Sequence, residues 1–205
     1  MKKLCILSLF ASLLSTASAA NLIGNGSFES PAIVGPFAGI SAGGTIGAWR
    51  VGLEDVDLIR TYWNAADGAQ SVDLNGPRLG SSIFQDIPTT VGAQYSLTFS
   101  YAGNPDEAGD KTFNVLWGGA VAGGFNFPQN TGTLANMNWR NGVLTLTANS
   151  SLTRVEFLST TAINGTGPAL DNISLTAVPE PSVTLLALTS AAGLLALRLR
   201  RQRDA

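Results

Sequence analysis

Hydrophobic and polar positions alternate most plainly between residues 95 and 101. Tyr95, Leu97, Phe99 and Tyr101 fall on one side, Ser96, Thr98 and Ser100 on the other. A period of two predicts a β-strand with one buried and one wetter face. Just upstream, Ile83, Phe84 and Ile87 form a short apolar strand, and residues 88–92 carry turn chemistry, so the two strands are expected to make a central hairpin. The aromatic face of such a strand packs on a second sheet or stacks on a ligand, and a sandwich is the natural way to bury it.

Weaker versions of the pattern run through the chain. Residues 21–28 predict a first strand interrupted by Gly24 and Gly26, and the Gly-, Ala- and Pro-rich stretch 31–48 predicts an excursion. Strands are then expected at 49–51, 58–63, 71–76 and 112–117, the last ending at Gly118 and Gly119. Residues 120–133 are weakly patterned and read as a long rim loop. Segments 139–147 and 151–159 read as a further hairpin, and 169–176 as the closing strand. Within residues 21–177 there is no long amphipathic pattern of helical period and no fixed internal repeat. The expected fold is an all-β sandwich.

The two ends differ from this middle. Lys2 and Lys3 precede an apolar run and a small-residue stretch that reaches Ala20, the layout of a secretory signal peptide over residues 1–20. Cys5 lies inside it, so the exported part, a β-sandwich over residues 21–177, has no thiol for disulfides, nucleophilic chemistry or zinc. Residues 178–205 form a C-terminal unit. It holds an apolar stretch at 183–199 that as a helix rises roughly 25 Å, enough to cross a bilayer with modest accommodation. The arginines at 198, 200, 201 and 203 would stay on the cytoplasmic side.

Charge and composition narrow the chemistry. Residues 21–178 carry six basic and twelve acidic side chains, a net charge of −6 with no basic cluster, which disfavours nucleic acid. The chain has no histidine, so Ser-His-Asp and His-metal schemes are excluded. Glu54, Asp55 and Asp57 could supply a glycosidase pair only if their carboxyl groups faced one another across a sugar; an acidic turn is the ordinary reading. The chain is read as a non-enzyme. Sugar recognition asks for apolar contact beside orienting polar groups. The candidates are Tyr62, Trp63, Trp117, Phe127 and Trp139 for stacking, with Asn64, Asp67 and Asn126 as polar partners. Each of these aromatics also has an ordinary place in a core.

Val178-Pro179-Glu180-Pro181, the apolar segment after it and the arginine-rich end resemble the bacterial PEP-CTERM sorting signal. The resemblance implies recognition of Pro179, Glu180 and Pro181 by an exosortase, and transient or retained anchoring in the inner membrane of a Gram-negative bacterium. Delivery to the cell surface or extracellular matrix would follow. The exported part resembles the choice-of-anchor C family of galactose-binding-like jelly-roll sandwiches. Residues 21–29 (NLIGNGSFE), 49–63, 67–76, 82–101 and the closing 167–172 (GPALDN) carry that likeness. It implies a polysaccharide- or matrix-associated binding module, with a structural or protein-interaction role in the cell envelope as the alternative. It also implies a structural Ca²⁺ shared by Glu29, after the first-strand motif, and Asp171, at the start of the closing strand.

Overall fold

The computed structural model describes residues 19–76, 80–129, 131–162 and 165–179 and the isolated residue 202. Residues 1–18 of the expected signal peptide lie outside these, as does the apolar segment 183–199. Among the described residues no helix is long and apolar enough to cross a membrane.

The described strands are β1 (Phe37–Ile40), β2 (Thr45–Ile46), β3 (Trp49–Val51), β4 (Val56–Ile59), β5 (Ser71–Asp73), β6 (Ser82–Pro88), β7 (Gln94–Gly103), β8 (Lys111–Trp117), β9 (Ala120–Phe127), β10 (Arg140–Thr147), β11 (Leu152–Ser159) and β12 (Pro168–Ala177). They form two antiparallel six-stranded sheets, one in the order β1-β4-β5-β12-β7-β10 and the other β2-β3-β6-β11-β8-β9. The fold is an all-β, jelly-roll-like sandwich, as the alternation predicts.

The connectivity departs from the sequence expectation at both predicted hairpins. β6 and β7 lie in different sheets, and so do β10 and β11. Each connection is an inter-sheet corner. The two corners are bonded to each other, Thr89 N–H to Ser151 C=O at 2.9 Å, Gly92 N–H to Ala148 C=O at 2.8 Å and Ala148 N–H to Ala93 C=O at 3.0 Å. All four strands have an apolar face, and separate sheets let those faces meet across the core. Phe99 of β7 meets Phe157 of β11 edge-on at 5.2 Å, and Trp49, Phe28 and Phe157 continue the same cluster.

Three smaller expectations are also corrected. Residues 21–28 are not a strand: Asn25 and Phe28 take left-handed φ values of 55° and 57°, which break any ladder. The segment is held instead by Leu22 N–H to Leu175 C=O at 2.8 Å and Ile173 N–H to Gly26 C=O at 2.9 Å. The excursion at 31–48 contains β1 and β2. The expected rim loop after Gly119 contains β9, which turns back on β8 through Gly118 and Gly119 at φ 58° and 85°. β9 pairs on one side only and is mostly exposed on both faces, so it shows no buried-polar alternation to read.

Because Leu97 and Phe99 point into the core, Thr98, Ser100 and Ala102 of β7 point to the other face of the first sheet. That outer face is divided. At one end Ala102 and Ala169 lie under a second apolar cluster with Ile59, Trp63, Phe127 and Met137. Toward β10 the face is open.

Candidate functional site

The covered end gathers most of the aromatic residues singled out from the sequence. Trp63 and Phe127 are buried in the second cluster, and Tyr62 and Trp139 are packed half-buried against it. Trp117 is elsewhere, buried against Tyr95 at 5.9 Å with its indole N–H on the Thr147 carbonyl at 2.9 Å.

The polar atoms of this rim are engaged with one another. The Tyr62 hydroxyl donates to Asp106 Oδ2 at 2.6 Å, a bond that pushes the phenol above its ordinary pKa, and the Trp63 indole donates to Ser71 Oγ at 2.9 Å. The Trp139 indole donates to the Asn64 carbonyl at 3.0 Å, and the Asn64 amide donates to the Ala135 carbonyl at 3.3 Å. Asn126 donates to Asp110 Oδ2 at 2.8 Å, and Asp67 accepts from the Ser27 hydroxyl at 2.6 Å. Tyr62 and Trp63 are tilted by 57° rather than coplanar. These contacts tie loops to the sheet, and the Tyr62–Trp63 pair does not form one flat stacking surface.

Glu29 and Asp171 come to the same loop, from opposite ends of the sequence. Glu29 Oε1 accepts the N–H groups of Ala69 and Gln70 at 2.7 and 2.8 Å. Asp171 Oδ2 accepts those of Ala66 and Asp67 at 2.7 and 2.8 Å, and its Oδ1 accepts from Asn172 at 2.7 Å. Burial outweighs these bonds and pushes the Asp171 carboxyl up to about 7. Among the described residues no group of three or more Asp, Glu, His or Cys could hold a metal ion. Ca²⁺ needs six to eight oxygen ligands, and a carboxylate oxygen that accepts an N–H keeps a lone pair for a cation, so a Ca²⁺ shared by Glu29 and Asp171 stands as a proposal. In this geometry the pair pins residues 66–70 directly.

A second buried acid supports the neighbouring loops. Asp73, fully buried, accepts from Asn75 N–H and Gly167 N–H at 2.9 Å each and from the Asn104 amide at 2.8 Å. Burial pushes it up to about 7. Lys111, also buried, donates to the Glu107 carbonyl and the Thr166 hydroxyl, and burial lowers its pKa. Beside it a polar cavity of about 30 Å³, lined by Asn104, Glu107, Gln129 and Thr131, has room for water but not for a sugar.

The open half of the first sheet is different. There a cleft of about 280 Å³ is lined by Thr98, Ser100, Asn141, Val143 and Asn172, floored by Phe99 and Gly142. β7 and β10 are in register here, Thr98 opposite Val143 and Ser100 opposite Asn141. β12 has a bulge between Asp171 and Ser174, and Asn172 within it takes φ 50° and is exposed. A bulge re-aims a side chain, here on the face that carries the cleft. Among the described residues the side chains of Thr98 and Asn172 make no hydrogen bond, and the Asn141 amide is reached only by Ser100 Oγ at 3.5 Å. The sequence did carry a signal for these positions: Thr98 and Ser100 are the polar half of the clearest alternation. Asn141 and Val143 carry no such local signal, because only the fold puts β10 beside β7.

Residues 21–176 match the family described as "Protein of unknown function (DUF642)". The chain belongs to the DUF642 family. Halomucin of Haloquadratum walsbyi (strain DSM 16790 / HBSQ001) is 27% identical over 174 residues, which is 81% of this chain and 2% of halomucin. The chain thus spans a small fraction of that relative. Among solved structures, the CBM22-1 xylan-binding domain of Paenibacillus barcinonensis Xyn10C is similar with a TM-score of 0.54 at 12% identity, covering 81% of this chain and 99% of that one. A family 35 carbohydrate binding module from Clostridium thermocellum has a TM-score of 0.48 at 15% identity, covering 67% and 97%. At 12% identity the likeness to the CBM22-1 domain shows a shared fold and nothing of the site.

Proposed function

We propose that this DUF642 chain is an exported, noncatalytic binding module associated with extracellular polysaccharide. The observation that carries the reading is the cleft on the outer face of the first sheet, lined by amide and hydroxyl groups of which those of Thr98 and Asn172 make no hydrogen bond among the described residues. Asn side chains both donate and accept, as do hydroxyls, which suits the mixed hydrogen bonding of sugar hydroxyl groups. The likeness in fold to a xylan-binding domain is consistent with this use. A glycan array followed by isothermal titration with the mature protein tests it. Saturable binding of at least one polysaccharide is expected; specific capture of an envelope protein with no glycan bound would replace this reading with the structural alternative.

The signal-like ends support export and C-terminal processing in the same proposal, with the choice-of-anchor C likeness and an exosortase acting at Pro179, Glu180 and Pro181. Pro179 is exposed just beyond β12, and the other two lie outside the described residues. Val178 N–H is tied to the Gln94 carbonyl at 2.8 Å, so a cut beyond it leaves the last strand intact. Intact-mass measurement of the cell-surface and membrane fractions is expected to show loss of residues 183–203. Replacing Pro179, Glu180 and Pro181 is expected to accumulate precursor, and a mature membrane product that keeps the segment would overturn the processing step.

A further inference from the structure

We infer that the cleft between β7, β10 and β12 selects an uncharged glycan chain, a conclusion that rests on the polysaccharide-binding reading above and adds the chemical class of the ligand. The lining contains two amides, two hydroxyls and one exposed valine, and no charged side chain. The described cations are engaged or located elsewhere. Arg60 donates to the Ile33 carbonyl, Arg140 lies 4.9 Å over the Phe127 ring, and Arg154 is paired with Asp86 and stacked 3.6 Å over Phe84. Lys111 is buried on Glu107 and Thr166, and Arg50 belongs to β3 in the opposite sheet. An acidic sugar placed in the cleft would therefore lose hydration with no cation to replace it, and the domain's negative balance would repel it further.

A cationic sugar finds no carboxylate in the lining, only the domain's diffuse negative charge, which salt screens. The carboxyl group nearest in sequence to the lining, Asp171, is buried, and its oxygens take the N–H groups of Ala66, Asp67 and Asn172 instead of facing the cleft. Neutral hydroxyl groups, by contrast, can use Thr98 Oγ1, the Asn141 amide and the Asn172 amide at once. Val143, 63% exposed, offers apolar contact to the carbon face of a sugar ring. The volume, about 280 Å³, lies just below the roughly 300–1,000 Å³ of small-molecule sites, so the cleft takes a short stretch of a chain.

The test titrates the mature protein with cellohexaose, xylohexaose and a β-1,4-galactan hexasaccharide, and with hexagalacturonate and chitosan hexasaccharide as charged counterparts. Wild type is expected to bind at least one neutral oligosaccharide at least ten-fold more tightly than either charged one at physiological salt. Asn141→Ala and Asn172→Gly are each expected to weaken that binding ten-fold or more with the melting temperature unchanged. Glycine keeps the left-handed backbone at position 172, and position 141 is exposed on an edge strand, so loss of folding does not confuse the result. Val143→Lys is expected to bring hexagalacturonate binding up while weakening the neutral ligand. Preferential binding of a charged oligosaccharide overturns the class assignment but leaves polysaccharide binding standing. Neutral binding that survives both asparagine variants overturns the site. No binding of any oligosaccharide overturns both the class and the reading beneath it.

Discussion

The burial of Asp73 and Asp171 is expected to make this domain less stable as the pH rises from about 5 towards about 8. Asp73 and Asp171 are both pushed from the ordinary 3.8 to about 7, chiefly because burial disfavours the charged carboxylate. A group whose folded pKa is raised holds its proton more tightly when folded, so its stabilisation is complete below the unfolded value and is lost as pH rises through the folded one. For each acid the interval of roughly 3 pH units corresponds to about 4 kcal/mol at 1.36 kcal/mol per unit. Within the window the slope approaches about −1.4 kcal/mol per pH unit for each group. Asp57, raised by burial and by Asp55, acts in the same direction. Asp86, lowered by its bond to Arg154, acts oppositely but only near and below the ordinary carboxyl range. The assay is urea unfolding followed by tryptophan fluorescence at steps between about pH 5 and pH 8. Unfolding free energy is expected to decline across this range and to level off above it. Asp73→Asn and Asp171→Asn, which cannot titrate, are each expected to remove about half of the slope. A profile that is flat or rises from pH 5 to pH 7 would refute the argument, because it would mean that the amide donors around these carboxylates outweigh their burial.

Two other expectations follow from particular contacts. A methyl group on Gly26 would lie 2.0 Å from the Ile173 carbonyl oxygen, so Gly26→Ala is expected to cost about 1–3 kcal/mol. A lowered urea midpoint with an unchanged slope would show it, and an unchanged midpoint would count against the close approach of the first segment to β12. If Glu29 and Asp171 share a Ca²⁺ while binding the amides of residues 66–70, adding millimolar calcium is expected to raise the melting temperature and a chelator to lower it. Glu29→Ala is expected to abolish that rise, and a wild type indifferent to calcium would remove the shared metal site.

The alternation of Tyr95, Leu97, Phe99 and Tyr101, together with shorter runs of the same period, was enough to determine strands, an all-β class and a buried aromatic face, because each strand writes its two faces into adjacent residues. The same local rule also marked Thr98 and Ser100 as positions off the core. What it could not carry was the partner of each strand. Residues 82–88 and 94–103 look like a hairpin because they are close in sequence, yet burying two apolar faces against each other sends them to opposite sheets. β9 left little trace, since an edge strand exposed on both sides has no buried face to write. The tertiary structure likewise decided which polar residues remain available. Tyr62, Asn64, Asn126 and Trp139 have side chains suited to sugars, but the loops fold so that those groups donate to Asp106, the Ala135 carbonyl, Asp110 and the Asn64 carbonyl. Asn141 and Asn172 lie 31 residues apart in the chain and gain a common cleft only when β10 and β12 flank β7 and the β12 bulge re-aims Asn172. Strand period is a property of neighbouring residues, whereas a site depends on distances between residues far apart in sequence, and only the packed sheets set those.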